Sequence, residues 1–574
     1  MGWDFPCIFF VEKQEITAAD SLKLLKSRLS AYTYGVNKKK QVDYTAYGDG
    51  YQVCLPLNSE IKIPEDDPVR LLSAIVERMN IEALIATYSE MGRNEYSPRI
   101  LMKVCVYGYM RKYIRSRELE RACKENVKFM YLLGGKKAPD HNTIARFRSE
   151  HLAKCQREIQ QEMTRVLKEM GEISFEESAV FIDGTKIESV GNRYRFVWKK
   201  SIEKNLGKLQ GNITKNLPEM LKETGIRFHV GSEIRVRHLN KLRKNLCRRM
   251  QEEKVEPVHG SGRRKSKLQK LLETVEEWIS RLKTYYHQIR ICGERGSYCK
   301  TDPEATFMRM KEDHMLNGQL KPGYNVNVAS VSEYIVGTYV SADRTDTRTT
   351  IPFMEQLRSA YPVRRVVYDS GYESEENYRY FESHPELDLY VKPANYEQRK
   401  QKKYRTDISR SENMKYDVAE DRYTCANGSV LKRTGTKKVK TQSGFISEKA
   451  IYECSDCSGC PLKEKCIRSK SSQPLELRNK RIEVSRYFSD CRSSMSNKVS
   501  TDEGKQLRMN RSIQAEGVFA YIKTDLEFRR FSHRGTQKVG AEWTLLALAY
   551  NVLRMHHKAL NGRLGTHLYA LSPA

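Results

Sequence analysis

Two stretches of this chain, "SAVFIDGTKIES" (178–189) and "VRRVVYDSGYESEENYRYF" (363–381), run several apolar residues directly into an aspartate. Ala179, Val180, Phe181 and Ile182 leave no polar position to face water, and neither do Val366, Val367 and Tyr368. Each run predicts a short strand buried on both faces, of the kind found inside a sheet covered by helices. On this reading Asp183 ends the first strand and Asp369 ends the second. Asp-Gly is also a strong hairpin signal, so the plain alternative is that Asp183-Gly184 only reverses the chain. A carboxylate at a buried strand's end is a rigid metal ligand if it has partners, and within one sheet the ends of two strands can be neighbours.

The charge balance says what such a site would act on. The 574 residues carry 101 Lys and Arg against 72 Asp and Glu, a formal net charge of +29, with the basic residues spread through most of the chain. A field of that sign favours a polyanion, and nucleic acid is the usual one. Anionic membrane is the competitor, but no apolar run approaches the roughly 20 residues a spanning helix needs, so no membrane partner is expected. The N-terminal "MGWDFPCIFF" lacks the basic lead of an export signal, and Pro6 stands where a myristoylation signal wants Ser or Thr. A reducing, cytoplasmic location is expected, with the 14 Cys as thiols or metal ligands.

So long a chain exceeds one ordinary core and predicts several units. Residues 1–42 carry no sustained pattern and are left as a leader of unknown structure. Helical spacing begins at "DPVRLLSAIVERM", after an Asp-Pro start signal, and a helical N-terminal domain is expected over 43–170. In "APDHNTIARFRSEH", Asp140 caps a helix that would turn Thr143, Ile144 and Phe147 inward and Arg146 and Arg148 outward. Short basic helices with tight turns suit a helix-turn-helix DNA reader, and an ordinary helical domain with a solvated basic face is the alternative. Residues 192–293 predict a basic helical insertion, because Leu268, Leu271, Val275, Trp278, Leu282 and Tyr285 recur at alternating three and four spacings. Its Arg263, Arg264 and Lys265 read as a loop that could lie along phosphates, or as part of a solvated helix pair. Strand patterns resume with Tyr324, Val326 and Val328 alternating with polar residues, then Tyr334 to Val340, then "LDLYVKPAN". Ser374 caps a helix that carries Glu375 and Glu376 in its first turn, where the dipole favours them.

A third acid lies in "NRSIQAEGVFAYIKTDLEFRRF", where Glu516 and Lys523 stand seven residues apart on one helical face. Three carboxylates in one site repel unless cations neutralise them, and Mg²⁺ suits such a set of oxygen ligands. Two metals so held activate an attacking oxygen and stabilise the leaving oxygen of a phosphodiester. With a basic surface, and no G-x-x-x-x-G-K loop, the pattern points to metal-dependent polynucleotidyl chemistry.

Several blocks in order, "FIDGTKIES", "DPEATFMRMK", "KPGYNVNVA", "YDSGYESEENYRYF" and "EGVFAYIK" followed by "RRFSHRGTQKVGAEWTLLALAYNVLRM", resemble the DDE transposases of bacterial insertion sequences. The nearest resemblance is to the insertion sequence eleven-eighty-two family of cut-and-paste elements. The N-terminal "YSPRILMKVCVYGYMRKYIRSRELERACKENVKFMYL" is similar too, so the likeness covers roughly 43 to 560. It implies an α/β fold with an RNase H-like catalytic core, a mixed sheet with flanking helices built from 171–191, 294–396 and 500–560. Asp183, Asp369 and Glu516 would be its catalytic acids, holding two Mg²⁺, with Mn²⁺ able to substitute. The expected partners are double-stranded DNA, as the element's terminal inverted repeats and as target, and a second copy of the chain on DNA. The implied location is bacterial and nucleoid-associated. Such enzymes carry a Y-x2-R-x3-E-x6-K signature; here Glu516 and Lys523 fit, but Met509 and Ser512 stand at the Tyr and Arg positions. Arg511, one residue off, is the substitute, and Arg511 and Lys523 are the implied phosphate contacts. Glu542 is the reserve third acid.

A Cys-rich insertion over 397–499, before a tail at 561–574, contains "CSDCSGCPLKEKC". Cys454, Cys457, Cys460 and Cys466 have spacing suited to a structural Zn²⁺, with Cys425 able to replace one, while an iron-sulfur cluster and unligated thiols stay open. The expected activity is that of a transposase that binds its element's ends, nicks DNA and joins the 3′-OH ends to target DNA. A nuclease without strand transfer and an inactive DNA-binding relic are the alternatives.

Overall fold

The computed structural model describes residues 63–89, 96–229, 234–259, 264–311, 318–469 and 471–566. The leader 1–42 and Arg263 lie outside the described residues. At the centre is a six-stranded mixed sheet. Its strands are β1 (Val180–Glu188), β4 (Thr306–Arg309), β5 (Leu320–Val331), β6 (Tyr334–Ser341), β7 (Arg365–Tyr368) and β8 (Asp388–Val391), while β2 (Phe196–Trp198) and β3 (Ser297–Cys299) form a separate ribbon. The order is β4-β5-β1-β7-β8, with β6 beside β4 along the long β5. β5 is antiparallel to β1, β4 and β6, whereas β1, β7 and β8 run parallel.

Two expectations about these strands need correction. Asp183 does not end β1, and Asp183-Gly184 does not reverse the chain: the strand continues to Glu188, with Asp183 opposite Val328 and Gly184 opposite Asn327. The reason is that β5 offers an unbroken antiparallel partner as far as Gly323, which outweighs the local turn preference. In β5 the polar residues that alternate with Tyr324 and Val326 are not solvated: Asn325 and Asn327 are just as fully buried. Their polar side chains face the interior of a site rather than solvent.

One continuous hydrophobic cluster joins the N-terminal helices to the sheet, from Ile63 to Met555. Asp67 caps the helix Pro68–Arg78 by accepting from Val69 N–H, and Asp140 caps His141–Arg146 by accepting from Thr143 N–H. Ile144 and Phe147 are buried as the spacing predicts, but Arg148 is buried with them. It donates to the Ile114 carbonyl and Ser116 hydroxyl, each at 2.7 Å, so it ties helices together and does not face out. Arg148 stands four residues after Ile144, so ordinary helical spacing already puts both on one face, and the neighbouring helix supplies the partners that let a guanidinium be buried there. The helix Thr536–Leu560 is buried along most of its length and packs on Pro98–Met110, Ala153–Glu169 and β6.

The basic segment forms three helices, Lys199–Thr224, Val236–Glu252 and Lys267–Cys292, around a core of its own in which Leu271, Val275 and Leu282 are fully buried. Residues from 415 onward build a second sheet, β9 (Lys415–Asp417), β10 (Arg422–Thr424), β11 (Val430–Lys440), β12 (Ile446–Cys454) and β13 (Arg481–Val484), paired in sequence order. Among the described residues no helix is long and apolar enough to cross a membrane.

Candidate active site

The acids meet where neighbouring strands part. β1 and β7 pair only at Val180↔Val366 and Phe181↔Val367, so the ladder stops before Asp183, and β7 ends one residue before Asp369. Diverging parallel strands open a crevice at their carboxyl ends, the place where open α/β sheets hold ligands. Asp183 Oδ1 accepts from Gly184 N–H at 2.8 Å. Asp369 caps the short turn Ser370–Tyr372, its Oδ1 accepting from Gly371 N–H at 2.8 Å.

A carboxylate that sequence reading missed stands between them. Asp346, at the start of the turn before the helix Thr350–Arg358, receives a 2.7 Å hydrogen bond from Asn325 Nδ2. A Cβ placed on Gly371 would lie 3.0 Å from Asp369 Oδ1 and 3.2 Å from Asp346 Oδ2, and one on Gly184 would lie 3.1 Å from Asp346 Oδ1. The two glycines therefore line a cradle walled by carboxylate oxygens, which any side chain would fill. On its floor Asn327 Oδ1 accepts from Tyr372 O–H at 2.6 Å and Thr349 O–H at 3.0 Å. Asn325 Oδ1 and Asn327 Nδ2 are buried with no hydrogen-bond partner, an arrangement that costs free energy unless a ligand or water completes it. The available signal was the alternating pair Asn325 and Asn327, polar residues in a strand whose neighbours are apolar.

The electrostatics agree with the geometry. Burial pushes Asp183 up to about 6, with the Arg511 guanidinium opposing the rise and Asp369 adding to it. Burial also raises Asp346, with the Asn325 hydrogen bond opposing and Asp369 adding. The Tyr372 phenol is held well above its ordinary range by burial, then by the charges of Asp346, Asp183 and Asp369. Three carboxylates thus act on one buried hydroxyl.

Glu516 is placed differently. It closes a π-turn over Ser512–Glu516, and Arg511 stands between it and Asp183: Nη2 is 2.6 Å from Glu516 Oε1 and Nη1 is 3.4 Å from Asp183 Oδ2. The link between the first and third expected acids runs through a guanidinium. Lys523 Nζ donates to Thr185 Oγ1 at 2.8 Å, two residues along β1 from Asp183. Arg146 is exposed on the N-terminal helices, Arg264 is exposed on the basic segment, and Lys265 pairs with Glu273 at 2.8 Å. Glu542 does not join the acids: it is buried, accepts from Ser532 and His533, and holds that turn against its helix.

Asp183, Asp346, Asp369 and the Asn325 carbonyl are hard oxygen donors, and the cradle fits Mg²⁺ or Mn²⁺ chemically. It is open as it stands: among the described residues no group of three or more His, Cys, Asp or Glu side chains is drawn in far enough to hold an ion. A cavity of about 550 Å³ between Ala153–Gln161, β6 and Thr536–Thr544 is separate, since none of the candidate acids lines it.

Residues 424–556 match the family model described as a transposase DDE domain, and residues 57–150 match the one described as a transposase domain (DUF772). No curated protein and no solved structure matches the chain. The first match includes Glu516, Arg511 and Lys523, and the second covers helices that share the core of the sheet, while Asp183 and Asp369 fall in the stretch between them. Transposase-type matches thus lie on both sides, in sequence, of the stretch that carries the acidic crevice.

Proposed function

We propose that this protein is a DNA transposase that binds the terminal inverted repeats of its element, nicks DNA at each end and joins the 3′-OH ends to target DNA. The observation that carries the proposal is the meeting of Asp183 and Asp369 where β1 and β7 part. The strand order β6-β5-β1-β7-β8, antiparallel then parallel, supports an RNase H-like reading of the core. When bound, two Mg²⁺ would activate the attacking oxygen and stabilise the leaving oxygen. Asp183 and Asp369 would hold them with Asp346, which Asn325 orients, and Glu516 would join once its link to Arg511 opens. Arg511 and Lys523 lie beside β1, where they would take the phosphates flanking the scissile bond. Arg264 and the exposed Arg146 belong to surfaces that would follow the DNA backbone, with affinity that falls steeply as salt rises. Two ends must be held together, so a dimer on DNA is part of the proposal.

The test is to incubate purified protein with a labelled duplex carrying the element's ends, in Mg²⁺ and in EDTA, beside Asp183→Ala. Metal-dependent nicking at the element boundary, absent in the variant, is the expected result. A variant that still nicks removes Asp183 from the site. A pre-cleaved end offered with target plasmid separates transposase from nuclease, because only the former joins the two.

A further inference from the structure

The cysteines of the second sheet lie outside the acid site and need a separate account. Sequence spacing alone favours Cys454, Cys457, Cys460 and Cys466 as one group. The fold brings in another member. Cys425 sits in the turn after β10, where its N–H bonds the Ser429 carbonyl at 2.9 Å, and Thr424 pairs with Val430. The next residue of β11, Leu431, is the partner of Cys454 at the end of β12. Cys425 therefore stands at the same end of the sheet as Cys454, and it packs with Cys457 on the small apolar cluster that contains Cys454.

Lys480 gathers three of the others. Its N–H points at Cys457 Sγ at 3.3 Å, its carbonyl accepts from Cys454 N–H at 2.9 Å, and its Nζ donates to the Cys466 carbonyl at 2.8 Å. An N–H aimed at sulfur and a buried ammonium close by both favour thiolate over thiol. No disulfide forms among these cysteines, so each keeps its sulfur free to act as a donor.

The surrounding core is small. Its cluster holds seven buried side chains, Cys454 among them, and β11 is largely exposed beyond Leu431. Cores of that size commonly depend on a metal or disulfide, and a thiolate-bound Zn²⁺ contributes folding free energy directly. We propose that Cys425, Cys454, Cys457 and Cys466 bind one structural Zn²⁺ at the end of the β9–β13 sheet, with Cys460, which neither packs on that cluster nor bonds Lys480, outside the ligand set. Four thiols give up their protons, the tetrathiolate site carries a net charge of −2, and the Lys480 ammonium offsets part of it. As the structure stands no three of these thiols share an ion; binding draws them in through the 425–429 and 455–462 turns, neither of which is held in a ladder. This inference is independent of the acid site, so its failure leaves the transposase reading untouched.

The experiment uses the full chain, purified in reductant without chelator, with metal content measured by elemental analysis. About one zinc per chain is expected, released by a mercurial thiol reagent. Cobalt exchanged into the unaltered chain should show the strong thiolate-to-metal absorption of a tetrahedral tetrathiolate site, a readout that does not depend on any variant folding. Cys460→Ser should keep the zinc through a chelating column, and Cys425→Ser should lose it. Zinc-free protein with all five thiols open to a thiol reagent would overturn the proposal. So would iron with labile sulfide in place of zinc, or retention by Cys425→Ser combined with loss in Cys460→Ser.

Discussion

Two buried acidic groups in this molecule are handled in opposite ways. At Glu172 the protein supplies its own cation: Lys558 lies 2.8 Å away, both side chains are 1% exposed, and Tyr334 O–H and Gly565 N–H complete the carboxylate at 2.8 and 2.7 Å. Glu333 is likewise met by Arg554 and Arg563. At the β1–β7 crevice three carboxylates, Asp183, Asp346 and Asp369, face one another; Arg511 reaches ion-pairing distance of Asp183, while Lys311 and Lys186 act on the group only from farther away. A closed pair costs little once formed and only holds structure, whereas an unbalanced acidic cradle is a fold kept in a state that a cation improves.

The sharpest break in the comparison is functional. Asp183→Ala or Asp369→Ala should lower nicking by roughly a thousandfold or more, the several kcal/mol that metal-held charge stabilisation supplies, while a gel-shift assay shows end binding little changed. Next comes the closed pair. Glu172→Ala leaves Lys558 buried without its carboxylate and should cost about 3–5 kcal/mol, read as a drop in the thermal or urea midpoint, with no specific effect on metal binding.

The third prediction concerns pH. Asp183 has its folded pKa raised from 3.8 to about 6, so the folded state binds the proton more tightly than the unfolded chain. The stability this contributes is full below about pH 4 and is lost as pH rises through 6. Metal-free Asp183→Asn should therefore match the parent in melting temperature at pH 4 and exceed it at pH 7, by on the order of 2–3 kcal/mol. Added Mg²⁺ should narrow that gap by stabilising the parent alone. Equal midpoints at both pH values would show that Asp183 is not strained by its charge. The smallest effect is expected at Asp346→Asn, which keeps the shape and the Asn325 contact but removes one charge. Metal affinity measured by calorimetry should fall about 10-fold or more, because one of the carboxylates that hold the ions loses its charge, with melting unchanged or raised.

Much of the fold was legible locally. The caps at Asp67, Asp140 and Ser374, the seam of Leu271, Val275 and Leu282, and the buried runs before Asp183 and Asp369 are short-range signals, and each appears where its spacing puts it. Failures came where a distant partner intervened. Arg148 was buried because Ile114 and Ser116 accept from its guanidinium, β1 ran on past Asp183 because β5 was there to pair with it, and Glu542 capped a loop instead of meeting the acids.

By itself, then, the sequence determined the residue types of the chemistry: an excess of positive charge, two acids each following a buried strand run, and a set of closely spaced thiols. Only the tertiary structure decided which of them meet. Asp346 joins Asp183 and Asp369 because Asn325 reaches it from β5, and Cys425 joins Cys454 because β10, β11 and β12 pair side by side. Local pattern fixes which way a side chain points along its own strand or helix, but strand register and the point where two strands part set the distances between elements. Those distances come from packing across the whole sheet, which no single window of sequence contains.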